Sequence, residues 1–413
     1  MSSQSTVRLA PPLLWAAILP AIVWLLSACS TVTPAAAPGA AASDSSLRGT
    51  GDLGVVIERA DGRVKIVETS GRSVLATVEG LGDLSHASVV FSRDARHAFV
   101  FGRDGGLTKV DLLQARIVGR VLQAGNSIGG SISHDGRLIV AQNYAPGGVK
   151  AFDADTLELL AEVPAITEGG LRSKVVGLAD LPGRRFIYSL FEAGEIWITD
   201  FSDPKNPQTQ RFAGGNQPYD ALVTPNGRHY IAGLFGEDGL AMLDLWNPEQ
   251  GSRKILAGYG RGEEPLPVFK MPHLRGWSVA GGKAYLPAIG RHEVLVVDTE
   301  SWQEVARVPV RSQPVFVMAR PDGREIWVNF AFPDNGWVQV IDTVSGKVTH
   351  TLQPGRGILH MEFLSKGHEV WLSARDDNKV VIYDTATKQQ IGGFDSASPS
   401  GIFFTTRAAR TGF

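Results

Sequence analysis

The feature that most constrains the fold is a short phrase that recurs eight times along the chain. Each copy is a short run rich in apolar or β-branched residues that ends in an acidic residue and is followed by a polar turn. Six of the seven intervals between successive acidic residues are 42 to 47 residues, which is the period of one four-stranded propeller blade, and the seventh, of 54 residues between Asp244 and Asp298, contains an insertion. These acidic residues are Glu68, Asp111, Asp153, Asp200, Asp244, Asp298, Asp342 and Asp384.

The residues before each phrase indicate two further strands joined by a tight turn. Turns such as His134-Asp135-Gly136-Arg137 contain Asp-Gly or Asn-Gly, which favour hairpins because they tolerate positive φ. The first copy, around Glu68, lacks an inner strand, whereas residues 401–405 resemble an inner strand without a blade. The sequence therefore predicts an all-β, eight-bladed β-propeller over residues 51–413, closed by its N-terminal and C-terminal strands.

The N-terminal segment has the pattern of a secretory signal. Arg8 precedes an apolar run over residues 13–26 that is too short for a stable membrane span. The run ends in Leu26-Ser27-Ala28-Cys29, which resembles the bacterial lipobox. We expect residues 1–28 to be a lipoprotein signal peptide and Cys29 to be lipidated outside the cytoplasm. Residues 29–50 are rich in Ala, Pro, Ser and Gly, so we expect them to form a flexible tether from Cys29. The alternative is a free cysteine within a signal peptide.

Composition and motifs exclude several classes of function. A single cysteine excludes disulfides, a thiolate metal site and a covalent c-type haem. A formal net charge of −2 gives no positive field to hold nucleic acid. Residues 49–54 match G-x-G-x-x-G, but a tether precedes them and a strand follows, so NAD is not expected. The chain has no nucleophile elbow, His-Glu-x-x-His or P-loop, which leaves hydrolase and phosphoryl-transfer chemistry without support.

Candidate binding residues fall in the loops of one face of the ring. In each blade, the loop before the inner strand and the loop after the second strand open on the same face, which we call the upper face. An imidazole and several guanidiniums there suit a planar anion with a metal centre. Any single loop histidine or arginine is also compatible with an ordinary surface position. The loops before inner strands contribute His86, Arg172, Tyr219, Asp220, His273 and His360, and those after second strands contribute Arg103, Arg291 and Arg375, with His86 and His273 four blades apart.

The stretch Leu84–Asp94, which continues into Phe99–Gly105, resembles the NirF family of haem d1 biosynthesis proteins. The propeller of that family is related to the haem d1 domain of cytochrome cd1 nitrite reductase. The resemblance implies that His86 is the axial ligand of the haem iron and that Arg103 anchors a carboxylate of the ring. Tyr219-Asp220 stands where the reductase has a distal histidine, which argues against nitrite reduction.

The resemblance also implies a function. It indicates a periplasmic, membrane-anchored lipoprotein that binds haem d1 or its dihydro precursor, as a carrier or as an oxidoreductase, with NirN and cytochrome cd1 nitrite reductase as partners. If the protein performs a chemical step, Asp220 or His360 could move a proton beside the bound ring. The main alternative is a cofactor-free propeller scaffold for protein–protein interaction on the cell envelope. A redox enzyme that uses a soluble nicotinamide is a weaker alternative.

Overall fold

The computed structural model of the chain describes residues 48–259 and 276–412. The predicted signal peptide, Cys29 and most of the predicted tether lie outside the described residues, and so does His273. Within the described ranges, no helix is long and apolar enough to cross a membrane.

Eight four-stranded antiparallel sheets make up the described chain, which confirms the predicted all-β, eight-bladed propeller. We number the blades 1 to 8 in the order of their second strands. The four 3-10 helices of the described ranges are Pro248–Gln250, Ile289–Arg291, Arg375–Asp377 and Thr405–Ala409. In chain order, the strands are β1 (Leu53–Glu58), β2 (Arg63–Glu68) and β3 (Ser73–Val78) of blade 1; β4 (Ser88–Phe91), β5 (His97–Phe101), β6 (Gly106–Asp111) and β7 (Arg116–Leu122) of blade 2; β8 (Asn126–Ile132), β9 (Leu138–Ala145), β10 (Gly148–Asp153) and β11 (Leu159–Val163) of blade 3; β12 (Val175–Leu181), β13 (Arg185–Leu190), β14 (Glu195–Asp200) and β15 (Gln208–Ala213) of blade 4; β16 (Pro218–Val223), β17 (His229–Leu234), β18 (Leu240–Asp244) and β19 (Ser252–Ile255) of blade 5; β20 (Ser278–Ala280), β21 (Lys283–Ala288), β22 (Glu293–Asp298) and β23 (Glu304–Pro309) of blade 6; β24 (Pro314–Ala319), β25 (Glu325–Phe330), β26 (Val338–Asp342) and β27 (Lys347–Leu352) of blade 7; β28 (Ile358–Phe363), β29 (Glu369–Ala374), β30 (Lys379–Asp384) and β31 (Gln390–Asp395) of blade 8; and β32 (Pro399–Phe404), the inner strand of blade 1.

The two ends of the propeller meet in blade 1, as the sequence predicts. Strand β32 pairs antiparallel with β1, with Val55 opposite Phe403. The hydroxyl of Thr405 then donates to the carbonyl oxygens of Thr50, at 2.6 Å, and Leu53, at 2.9 Å. Because the last strand of the chain completes the first blade, the edge that β1 would otherwise present is paired.

The repeated acidic residue is the last residue of the third strand in every blade. Its role is structural, as Asp153 shows: one carboxylate oxygen, Oδ1, accepts the backbone N–H groups of Asp155, at 2.9 Å, and Thr156, at 2.8 Å. Burial acts to raise the pKa of Asp153, but these hydrogen bonds outweigh it and hold the pKa below its ordinary value. The acid at this position therefore fixes the turn into the outermost strand.

The core lies in the seams between neighbouring blades. One apolar cluster combines Val55 and Ile57 of blade 1 with Phe91 and Val100 of blade 2, and other clusters bridge further pairs of blades in the same way. Burying these seams stacks the sheets around a common axis. The inner strands consequently surround a central channel, and their side chains that point toward the axis line it.

Candidate functional site

A cavity of about 1640 Å³ occupies the centre of the ring. Inner strands of blades 1, 2, 5, 6, 7 and 8 line it. It extends from the upper-face loops, such as the one that carries His86, to turns of the opposite, lower face, such as Pro225 and Pro321. A channel of this size has room for a large planar ligand at one end.

Backbone hydrogen bonds hold the two kinds of upper-face loop together. Arg103 N donates to Asp83 O at 2.8 Å, and Arg375 N donates to Gly357 O at 3.1 Å. In each case the donor follows the second strand of a blade and the acceptor precedes its inner strand. The loops are thereby fixed side by side at the mouth of the channel.

Five of the residues singled out in the sequence line this one cavity: His86, Arg103, Asp220, His360 and Arg375. They come from blades 2, 5 and 8. His86, Asp220 and His360 are half-buried, while Arg103 is exposed at the rim. Closure of the ring therefore brings together side chains that are up to 289 positions apart, from His86 to Arg375.

Arg59 is a cavity residue that the sequence analysis missed. It follows β1 directly, as Arg375 follows β29, so alignment of blade 1 with blade 8 could have identified Arg59 as a site residue. Burial lowers the pKa of Arg59, the charge of Arg375 lowers it further, and Asp83 opposes the shift. Blades 8, 1 and 2 thus place Arg375, Arg59 and Arg103 in succession around the mouth, an arrangement that we call the cationic arc.

The cationic arc is only partly neutralised, because the carboxylate of Asp83 lines the same cavity and attracts Arg59 and Arg103. Arg375 forms an ion pair with Asp376, with Nε and Oδ1 2.7 Å apart. Among the described residues, no carboxylate is in ion-pair contact with Arg59 or Arg103. Three guanidiniums around one cavity mouth favour an anionic ligand, and their planar fork suits a carboxylate.

Bulges in the inner strands orient several site residues. The pairing of β16 with β17 shifts between Pro218 and Ala221, and the pairing of β28 with β29 shifts between Ile358 and Met361. The bulged residues therefore include Asp220 and His360. In blade 8 the hydroxyl of Ser373 accepts the backbone N–H of His360 at 2.8 Å, which satisfies a donor that the bulge leaves without a partner in the ladder. Such bulges redirect side chains that an unbroken ladder would hold in register.

The imidazole of His360 sits in an apolar part of the cavity. Its ring centroid is 5.5 Å from that of Phe403 and 6.0 Å from that of Phe316. Burial lowers the pKa of His360 to about 4, with Glu362 opposing the shift and Arg407 adding to it. Nδ1 accepts the backbone N–H of Ile402 at 3.3 Å, which assigns the proton to Nε2. At neutral pH, His360 is therefore an uncharged hydrogen-bond donor.

A buried ion pair and the C-terminal segment lie deeper in the channel. Glu362 and Arg407 both line the cavity and are joined by two hydrogen bonds. Burial acts to raise the pKa of Glu362, but the Arg407 guanidinium outweighs it and keeps the carboxyl ionised. Beyond Arg407, Gly412 N donates to Asp180 Oδ1 of blade 4 at 3.0 Å. The last residues of the described chain thus run across the lower end of the ring from blade 1 to blade 4.

Tyr219 differs from the prediction, because its side chain turns away from the cavity. Its hydroxyl is hydrogen-bonded to that of Tyr144 at 2.6 Å, and its ring packs against Phe191 and Phe235. Burial raises the pKa of Tyr219, and the charge of Asp220 adds to the shift. Tyr219 therefore belongs to an aromatic cluster beside Asp220 and does not line the cavity.

Arg172 and Arg291 also lie apart from the cavity. Arg172 is exposed and donates to Pro146 O of blade 3 at 3.2 Å. Arg291 is close enough to the outer strand β23 to lower the pKa of Glu304. It ends its 3-10 helix, whereas Arg375 begins the corresponding helix of blade 8, so the two side chains leave opposite ends of the turn. Loop position alone did not determine side-chain direction.

The described residues contain no cluster of three or more His, Cys, Asp or Glu side chains placed to hold a metal ion. The cavity does offer two half-buried imidazoles, of which that of His86 belongs to the same blade as Arg103 of the cationic arc. That combination suits a metal carried by an anionic organic ring, with one axial position for a protein ligand.

Comparison with known proteins identifies the family of this chain. Residues 48–408 match the family model described as the cytochrome D1 heme domain. The chain therefore belongs to this family of propellers. Within it, the chain is 58% identical to protein NirF of Stutzerimonas stutzeri and 56% identical to protein NirF of Pseudomonas aeruginosa, over 96% of this chain and 98% of each relative. It is thus a member of the NirF family.

A solved structure shares the fold. The dihydro-heme d1 dehydrogenase NirN in complex with DHE matches with a TM-score of 0.77 and 23% sequence identity. The match covers 88% of this chain and 78% of NirN. The chain therefore shares its propeller fold with a solved structure.

Proposed function

We propose that this haem d1 biosynthesis-related protein binds a late haem d1 precursor, such as dihydro-haem d1, at the upper end of its channel. The observation that carries the proposal is the convergence of His86 and the cationic arc on one cavity. A cofactor-free scaffold would have no need for a half-buried imidazole and guanidiniums that face inward. The family match and the fold shared with NirN, whose solved complex contains DHE, also support the proposal.

Each group has a role that its chemistry suits. The imidazole of His86 would ligate the iron, and Arg59, Arg103 and Arg375 would bind the carboxylates at the edge of the ring. When bound, the tetrapyrrole supplies the redox chemistry of its iron and conjugated ring. The surrounding residues hold the ring, neutralise its acidic groups and exclude water from the deeper channel.

Two site residues differ in their ability to move a proton. His360 is uncharged at neutral pH because burial lowers its pKa to about 4, so it has little imidazolium with which to protonate a ligand. It can donate a hydrogen bond from Nε2. Asp220 lines the same cavity and is the better proton carrier if the bound precursor is chemically changed. A carrier function requires neither proton transfer.

We further propose the cellular setting that the sequence indicates. A lipidated Cys29 would anchor the protein in the periplasm, and the tether would let the propeller reach partner proteins. The bound ring would pass to NirN and to cytochrome cd1 nitrite reductase. An open upper mouth is suited to such transfer, because the ligand enters and leaves on one face.

A visible absorption titration with haem d1 tests the proposal. The full-length protein should shift the Soret band of haem d1, and His86→Ala should abolish the shift. His350→Ala is the matched control, since His350 is an exposed histidine on the outer strand β27 and should leave the shift unchanged. Absence of any shift with the wild-type protein would favour the scaffold alternative.

Mass analysis of the ligand distinguishes carrier from enzyme. The wild-type protein is loaded with dihydro-haem d1, and the released ligand is analysed with and without an added electron acceptor. An unchanged mass supports a carrier. Loss of two hydrogens that requires the acceptor and disappears in Asp220→Asn supports an oxidoreductase.

A further inference from the structure

Phe332 is an exposed aromatic residue at the mouth of the channel. Its side chain is 70% exposed, although phenylalanine is usually buried. Among the exposed large apolar side chains of the described residues, it alone lines the cavity. An exposed ring at the edge of an otherwise polar, cationic mouth indicates contact with something flat and apolar.

The loop that carries Phe332 is held firmly. Strand β25 ends at Phe330, and Ala331 N then donates to Gln313 O at 2.9 Å. Asp334 forms an ion pair with Arg311 at 2.9 Å, and Ile358 N donates to Asn335 O at 2.7 Å. The residues on both sides of Phe332 are therefore anchored to blades 7 and 8. The backbone that carries the exposed ring is thus fixed before a ligand binds, which lowers the ordering cost of binding.

The position of Phe332 in the ring complements that of His86. Phe332 belongs to blade 7 and His86 to blade 2, which are three blades apart in a ring of eight. The cationic arc lies on the two blades between them, blades 8 and 1, and on the blade of His86. A planar ligand that lies between blades 7 and 2, with its acidic groups on the arc, would have one face toward His86 and the other toward Phe332.

We propose that Phe332 stacks on the face of the bound tetrapyrrole opposite His86 and so makes the site prefer a flat ring as its ligand. This inference rests on the proposed function and adds to it a residue that favours flat ligands over other carboxylates. The guanidiniums recognise carboxylates, which many metabolites carry. Phe332 would supply the preference for a conjugated, planar partner.

The test compares full-length variants by absorption titration with haem d1. Phe332→Ala should weaken the affinity about tenfold, from the loss of stacking and apolar contact. Phe332→Tyr should stay within about twofold of the wild type because it keeps the aromatic face, and Phe332→Leu should resemble Phe332→Ala more than Phe332→Tyr. Val344→Ala is the control, because Val344 is 91% exposed and does not line the cavity.

The outcomes separate this inference from the proposed function. If the wild type binds haem d1 and His86→Ala does not, while Phe332→Ala binds like the wild type, the stacking role is wrong and the proposed function stands. Full recovery of affinity by Phe332→Leu would also overturn stacking, since an aliphatic contact would then suffice. If the wild type itself does not bind, the proposed function fails first. Thermal unfolding of each variant should match the wild type, since the side chain is exposed.

Discussion

Arg407 holds Glu362 through two parallel hydrogen bonds, with Nε 2.8 Å from Oε1 and Nη2 2.6 Å from Oε2. Glu362 lies on the inner strand of blade 8 and is only 3% exposed, while Arg407 follows β32 at the end of the chain. The pair thus connects the last complete blade to the segment that closes the ring. It also gives the deep channel a fixed pair of opposite charges in place of a single buried charge, which would be costly to desolvate.

Removing one partner of this pair should be strongly destabilising. Arg407→Met leaves a carboxylate buried without its counter-ion, and we expect a loss of about 3–5 kcal/mol in the free energy of unfolding, measured by urea titration. Adding Glu362→Gln to that variant should recover part of the loss. Arg307→Met, which breaks an exposed ion pair with Glu304, should cost no more than about 1 kcal/mol. Equal losses for Arg407→Met and Arg307→Met would show that the buried pair has no special role.

His360 should make stability depend on pH in the weakly acidic range. Its pKa in the folded protein is about 4, below the ordinary value of 6.5. As pH falls from about 6.5 to about 4, the unfolded chain takes up a proton that the folded chain does not, so the folded state loses stability. The stabilisation is fully present above pH 6.5, and its loss should be on the order of 2–3 kcal/mol.

The measurement is urea unfolding of the wild type and of His360→Gln at several pH values between 4 and 7.5. The difference between their free energies of unfolding isolates the histidine from carboxylates that titrate in both proteins. Direct NMR titration of the imidazole should have its midpoint near pH 4. A midpoint near 6.5 would show that the ring is well solvated and would return His360 to consideration as a proton donor at neutral pH.

The fold was accessible from sequence because one structural need repeats. In seven blades an aspartate at the end of the third strand accepts backbone N–H groups of the following turn, whereas Glu68 of blade 1 accepts the hydroxyl of Ser73. The eight acidic positions therefore mark the blades. The site was only partly accessible. His360 lies in a bulge whose backbone N–H is bound by Ser373, a residue of the neighbouring strand, and no local sequence pattern shows that irregularity. Arg291 and Arg375 occupy similar loops but opposite ends of their short helices, so their guanidiniums diverge.

The turn acids themselves can be tested at Asp153. Asp153→Ala removes the acceptor for the N–H groups of Asp155 and Thr156, and we expect the free energy of unfolding to fall by about 1–2 kcal/mol. Asp153→Asn keeps an acceptor oxygen and should lose less than half as much. Thermal or urea unfolding measures both. If alanine and asparagine prove equivalent, the charge of the acid, and not its hydrogen bonds, stabilises the turn.

Arg59 should show opposite effects on stability and on binding. In the protein without ligand, its charge repels that of Arg375, so Arg59→Gln should stabilise the fold slightly, on the order of 0.5 kcal/mol. With haem d1 bound, the same guanidinium would meet a carboxylate, so Arg59→Gln should weaken binding about tenfold and reduce its sensitivity to salt. Arg116→Gln, on the outer strand β7, should change neither quantity. Repulsion within the unliganded cationic arc is the cost of holding an anion there. If Arg59→Gln is instead less stable than the wild type and binds haem d1 equally well, Arg59 serves the fold alone.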